Sequence, residues 1–125
     1  MAGYERIGSG SIQDRIEVLV QGDIPYRAHR WAVRAMEDAV RRQPWPLVRA
    51  KVRLTRPPHL VAVCRADIQA DLGGHLFHAR AEASDARSAL DVAAERLHRQ
   101  AVAARAGELA ARRMARPQQR QPHRR

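Results

Sequence analysis

The chain has one cysteine, one lysine and five aromatic residues among its 125 positions, and each scarcity excludes something. A lone Cys64 rules out an internal disulfide framework and a cysteine-built zinc site. No run of about 18 apolar residues occurs, so no segment reads as a bilayer span. The opening MAGYERIGSGSIQD lacks the apolar centre of a secretory signal, and the expected location is the cytoplasm. Aromatics make up 4% of a chain that is 45% hydrophobic, so the core has to be built from Ala, Val, Leu and Ile. Such a core suits closely packed helices and sheet, and predicts ordinary rather than high stability. The length suffices for one domain with a single core.

Arrangements that would carry catalysis are also lacking. Cys64 falls on the inward side of a strand, where a thiol is structural. His75 and His78, three apart on a strand, point to opposite faces and are not joined by clustered carboxylates or cysteines. Asp67 and Glu82 share the outer sheet face with Arg65 and Arg80, which reads as salt-bridged surface rather than an acid–base pair. The GSG of residues 8–10 lies in a leader and the GG of residues 73–74 in a hairpin, so no phosphate loop is present. The expectation is a protein without catalytic residues, metal, cofactor or small-molecule substrate, and without a membrane partner.

What is present in excess is arginine, which supplies 22 of the 23 basic side chains. The formal net charge is +10, and six of those ten come from the acid-free stretch Arg112 to Arg125. Bulk charge of this kind is weak evidence for a partner. Position on the folded surface matters more.

Along the chain, residues 1–14 have no period and read as a flexible leader. RIEVLVQG alternates, with Ile16, Val18 and Val20 on one side, and predicts a first strand. GDIP provides a helix start, with Asp23 able to cap and Pro25 suited to the first turn. From Tyr26 to Arg42, the positions Ala28, Ala32, Ala35, Met36, Ala39 and Val40 form an apolar stripe with Trp31 at its edge. The opposite side collects Arg27, Arg30, Arg34 and Arg41, and PWP at 44–46 ends the helix. LVRAKVRLTR predicts a second strand, Val48, Ala50, Val52 and Leu54 inward and Arg49, Lys51 and Arg53 outward.

HLVAVCRADIQAD and HLFHARAEA predict a third and fourth strand joined through DLGG. Leu60, Ala62, Cys64, Ala66, Ile68 and Ala70 face inward from one, and Phe77, Ala79, Ala81 and Ala83 from the other. With Leu72 and Gly73 at the tip, Ala66 pairs with Ala79, Cys64 with Ala81 and Arg65 with Arg80. Ser84 or Asp85 can cap a last helix whose stripe is Ala86, Ala89, Leu90, Ala93, Leu97, Gln100 and Ala104. Its other side shows Arg87, Asp91, Glu95, His98, Arg99 and Arg105, with Arg96 on the flank. Gly107 is expected to weaken the helix, and residues 107–125 to form a basic tail without structure. The order β-α-β-β-β-α predicts an α+β two-layer sandwich over residues 15–106, with two helices on one face of a four-stranded sheet. If the first two strands are neighbours, the helical crossover makes them parallel.

Arginines on two helices and the tail agree in sign. They form either a solvated face or a nucleic-acid contact led by phosphate and shape, and the sheet offers no aromatic pair for an RNA-recognition platform.

Two local motifs carry a resemblance. GGHLFHARAEASD, residues 73–85, and DARSALDVAAERLHRQ, residues 85–100, resemble the hairpin and last helix of the bacterial ribosome hibernation promoting factors. That family includes the ribosome-associated inhibitor and the sigma-54 modulation proteins. The matching residues are the glycine pair, the helix-opening aspartate, the triplet Ala89, Leu90 and Asp91, and the run Arg96, Leu97, Arg99 and Gln100. The resemblance covers roughly residues 15 to 106. Arg87 departs from it, standing where the family commonly carries an aromatic residue, and arginine replaces most family lysines.

The resemblance implies a fold similar to double-stranded-RNA-binding domains. It also implies binding to the small ribosomal subunit, its 16S-type ribosomal RNA and neighbouring ribosomal proteins, in the mRNA and tRNA channel. Translation would then stop by steric occlusion, without turnover. The chain would be a short member or the amino-terminal piece of a long one. The residues expected to meet RNA are Arg27, Arg30, Arg34, Arg41, Arg80, Arg87, Arg96 and Arg99, with Asp91 and Glu95 orienting arginines. A free structured-RNA-binding protein and a basic protein–protein adaptor are the competing readings.

Overall fold

A computed structural model describes residues 12–59 and 62–120, with side chains described as far as residue 115. Most of the expected leader, and Leu60 in the expected third strand, lie outside the described residues.

After a short 3-10 turn (Ile12–Arg15) come β1 (Ile16–Gln21), α1 (Ala28–Arg41), β2 (Leu47–Thr55), β3 (Cys64–Leu72), β4 (His75–Ala83) and α2 (Ala86–Arg120). The sheet order is β1-β2-β3-β4. β1 and β2 run parallel, joined by the α1 crossover, and the other neighbours are antiparallel. Both helices pack on one face, so the two-layer α+β sandwich expected from the sequence is the architecture observed.

Alternation and helical period account for the core. Ala28, Ala32, Met36 and Ala39 of α1 and Ala86, Ala89, Leu90, Ala93 and Leu97 of α2 are buried against Ala50, Val52, Leu54, Ala66, Ile68, Ala79 and Ala81 of the sheet. Among the described residues, thirteen of the twenty-four buried apolar side chains are alanine, so backbone layers approach closely and space is filled by few large groups. Met36, Leu54, Ile68, Leu72, Leu90 and Leu97 are the largest of those fully enclosed. At such positions a lost methylene leaves a void that neighbouring alanines have no length to fill.

Several expectations are corrected. α1 begins at an Arg27 N-cap without a side-chain cap bond, so Asp23, four residues upstream, does not cap it. Leu47, not Val48, enters the core at the start of β2; Val48 is 52% exposed. The register with β3 shifts between Leu47 and Arg49, and this bulge inserts one residue and reverses the local parity. β3 begins at Cys64, so Ala62 is outside the strand and exposed.

The β3–β4 hairpin turns at Gly73 and Gly74, with Leu72 paired to His75, rather than at Leu72 and Gly73. Both glycines have positive φ, 60° and 94°, the geometry of a two-residue hairpin turn matched to strand twist. The pairing therefore slips by two residues from that expected: Arg65 faces Glu82, and Arg80 faces Asp67. One like-charge contact becomes two opposite-charge ones.

Buried Gln43 closes the end of α1. Its Nε2 donates to Val40 O and Trp45 O, and its Oε1 accepts from Trp45 N, satisfying the amide through the Pro-Trp-Pro bend. Asp85 is the cap of α2, its Oδ1 accepting from Ser88 N at 2.8 Å. Gly107 does not end that helix, which continues to Arg120. Gln100, expected inward, is exposed, and Ala101 is buried instead.

Candidate nucleic-acid interface

The eight candidate arginines divide over three surfaces. Arg27, Arg30, Arg34 and Arg41 are exposed along α1 as the period requires. Arg41 is tied to Asp38 at 3.1 Å, whereas Arg27, Arg30 and Arg34 form no ion pair among the described residues. Arg27 and Arg30 also rim an apolar groove between β1 and the start of α1, beside the almost fully exposed Tyr26.

α2 brings two more candidates to α1. The Arg87 guanidinium carbon lies 5.8 Å from the centroid of the half-buried Trp31 ring. Arg27 and Arg34 lie one helical turn from Trp31 on either side and are exposed, so the Arg87–Trp31 contact sits beside the arginine stripe of α1. Farther along the seam, Glu95 accepts from Arg42 at 3.1 Å and pairs with Arg99 at 3.8 Å. The Arg42 hydrogen bond is the main reason the Glu95 carboxyl is held below its ordinary range. Glu95 therefore holds Arg42 and Arg99 together, whereas Asp91, expected to orient arginines beside it, forms no ion pair among the described residues. Arg42 and Trp31, outside the set expected from the sequence, join the candidate seam. On a helical wheel at about 100° per residue they lie side by side, just outside the outward stripe.

Arg96 and Arg80 do not join that seam. Arg96 Nη1 donates to Arg80 O at 2.6 Å, and Gln100 Nε2 to His78 O at 3.0 Å. One turn apart on α2, these two side chains satisfy carbonyls along the outer edge of β4, an edge otherwise open to pairing. Arg96 thus helps dock α2 on the sheet. The Arg80 guanidinium is on the opposite sheet face, where its Nε donates to Asp67 Oδ1 at 2.9 Å. His78 Nε2 lies 3.0 Å from the same oxygen. Burial would lift the Asp67 carboxyl, but the Arg80 and His78 bonds and charges outweigh it and hold it low.

His75, on the other face from His78, stacks on Trp45 with centroids 4.0 Å apart and lies 3.6 Å from Glu108. Cys64 is fully buried, and burial pushes its thiol pKa up. No helix among the described residues is long and apolar enough to cross a membrane.

No family model matches the chain, and no curated protein matches it. Solved structures do. The N-terminal domain of Thermus thermophilus protein Y is similar with a TM-score of 0.58 at 29% identity, covering 70% of this chain and 94% of that one. A ribosomal subunit interface protein from Coxiella burnetii has a TM-score of 0.58 at 18% identity, covering 73% of this chain and 97% of that one. The second likeness is one of fold. Both neighbours belong to the hibernation family that residues 73–100 resemble, so sequence motif and tertiary structure point to the same relatives.

Proposed function

We propose that this chain, folded like two ribosome-associated bacterial proteins, is a cytoplasmic hibernation factor that binds the small ribosomal subunit and stops translation by occupying the mRNA and tRNA channel. The binding unit is the α+β domain of residues 15–106. The observation that carries this reading is the likeness to protein Y over nearly the whole of that solved domain. The contact of Arg87 with Trp31, beside the exposed Arg27 and Arg34 of α1, supports it, because a guanidinium fork beside an aromatic face suits phosphates and unpaired bases alike. Binding excludes ligands from the channel, and no bond is made or broken.

The test is sedimentation with isolated small subunits through sucrose at low and moderate salt, beside the variant Arg27→Ala/Arg34→Ala/Arg87→Ala. Wild type should co-sediment near stoichiometrically. The variant should lose about 2–3 from the slope of log K against log salt, at roughly 0.7–0.9 per phosphate contact. A reconstituted translation reaction should slow as wild type is added. Wild type remaining at the top of the gradient at both salts would overturn the reading.

A further inference from the structure

Both helices cover one face of the sheet, and among the described residues no element covers the other. Along β2 this open face displays Arg49, Lys51 and Arg53, alternate residues of one strand and therefore on one side. Among the described residues, none of the three has an ion-pair or side-chain hydrogen-bond partner. The register extends them across the sheet: Lys51 pairs with Gln69, which pairs with His78, and Arg53 pairs with Asp67, which pairs with Arg80. Glu17 lies opposite Lys51 on β1 without bonding to it.

Asp67 binds Arg80 through Nε alone, which leaves both terminal guanidinium nitrogens free to donate away from the sheet. The six residues Lys51, Arg53, Asp67, Gln69, His78 and Arg80 line a shallow depression of about 140 Å³. That falls below the roughly 300–1,000 Å³ of a pocket that encloses a small molecule. It suits a single anionic group presented by a longer chain. The described outer face carries no Phe, Tyr or Trp, so it offers no platform for stacking a base.

We propose that the outer face of the sheet is a second RNA-contact surface, where Lys51, Arg53 and Arg80 hold a backbone phosphate of ribosomal RNA. Asp67 is a positioning residue that fixes the Arg80 fork, and Gln69 adds a neutral donor. The protein then engages RNA on two opposite faces, through the helix seam and through the sheet. This rests on the reading of the chain as a ribosome-binding protein and adds a surface to it.

The test uses the full chain carrying Lys51→Gln/Arg53→Gln, with Arg53→Lys as the charge-retaining control. Neither parent side chain has a partner in the fold, so the urea midpoint should stay at the wild-type value. Affinity for isolated small subunits at moderate salt should fall about tenfold in the double variant, and the salt slope by about 0.7–0.9, the share of the one phosphate held there. Arg53→Lys should bind like wild type. In parallel, Gln69→Cys carrying a tethered iron chelate should cleave ribosomal RNA locally, since the buried Cys64 takes no label.

Unchanged affinity and slope in the double variant, with binding lost in the Arg27, Arg34 and Arg87 variant, would overturn the second surface and leave ribosome binding standing. Absence of cleavage from position 69 in a stable complex would do the same and assign the face to protein or solvent. Failure of wild type to bind small subunits would sink both readings together.

Discussion

Gly22 and Gly74 form a matched pair for testing how tightly the loops of this fold are bound to it. Their φ angles are 93° and 94°, so replacement by alanine imposes the same unfavourable sign of φ at each. At that φ an L side chain costs about 1–3 kcal/mol, slightly offset by the smaller entropy of the unfolded alanine chain. What differs is the surroundings. A Cβ on Gly22 would lie 2.5 Å from the backbone carbonyl oxygen of Arg56, whereas one on Gly74 meets nothing within 4 Å.

The Arg56 carbonyl cannot swing away freely, because Arg56 N donates to Gln21 O at 3.0 Å beside the end of the parallel β1–β2 pair. Relieving the clash means either losing that bond, about 0.5–1.5 kcal/mol, or accepting packing strain of about 1–3 kcal/mol. Gly22→Ala should therefore be less stable than Gly74→Ala by about 2 kcal/mol. Urea unfolding followed by far-UV circular dichroism measures both midpoints against wild type at a common slope. Equal losses in the two variants would refute the reasoning, since φ strain alone would then explain everything.

Other perturbations have distinct signatures. Leu97→Ala, at a site 1% exposed in an alanine-rich core, should cost about 2–5 kcal/mol by urea unfolding, and a loss below 1 kcal/mol would mean the layers collapse onto the void. Asp85→Ala should lower the urea midpoint through the lost cap, and an unchanged midpoint would contradict that role. The Asp85, Asp67 and Glu95 carboxyls are all held below their ordinary values, Asp85 chiefly by the Ser88 amide. Their contribution is present above the ordinary carboxylate range near about pH 4 and is lost as pH falls through the depressed folded values. The urea midpoint should fall with acid, and less steeply in Asp67→Asn; a midpoint flat with pH would contradict this. Arg96→Ala/Gln100→Ala should speed exchange of the β4 amides paired to β3 by loosening the docking of α2 on that strand, with protection unchanged at β2 as the internal control. The Cys64 thiol, enclosed and raised by burial, should react with a disulfide reagent only at the rate of unfolding.

The amino-acid sequence by itself determined the elements, their faces and the two-layer plan. Alternation along β2 to β4 and the stripes of α1 and α2 are local periods, and burying them on one side leaves few arrangements. The arginine stripe of α1 was equally legible, being fixed by helical geometry alone. Tertiary structure decided what these patterns leave free. Alternation has a period of two, so a hairpin slipped by two residues keeps every side chain on its face. Only the positive φ of Gly73 and Gly74 selects the register that sets Arg80 against Asp67. The bulge at Val48 likewise arises from pairing with β3, which a single strand does not reveal. Nor does charge counting show which arginines are engaged. Arg96 is tied to a strand edge, Arg42 and Arg99 meet across Glu95, and Lys51 and Arg53 remain unpaired, because each outcome depends on which acid or open carbonyl another element brings within reach.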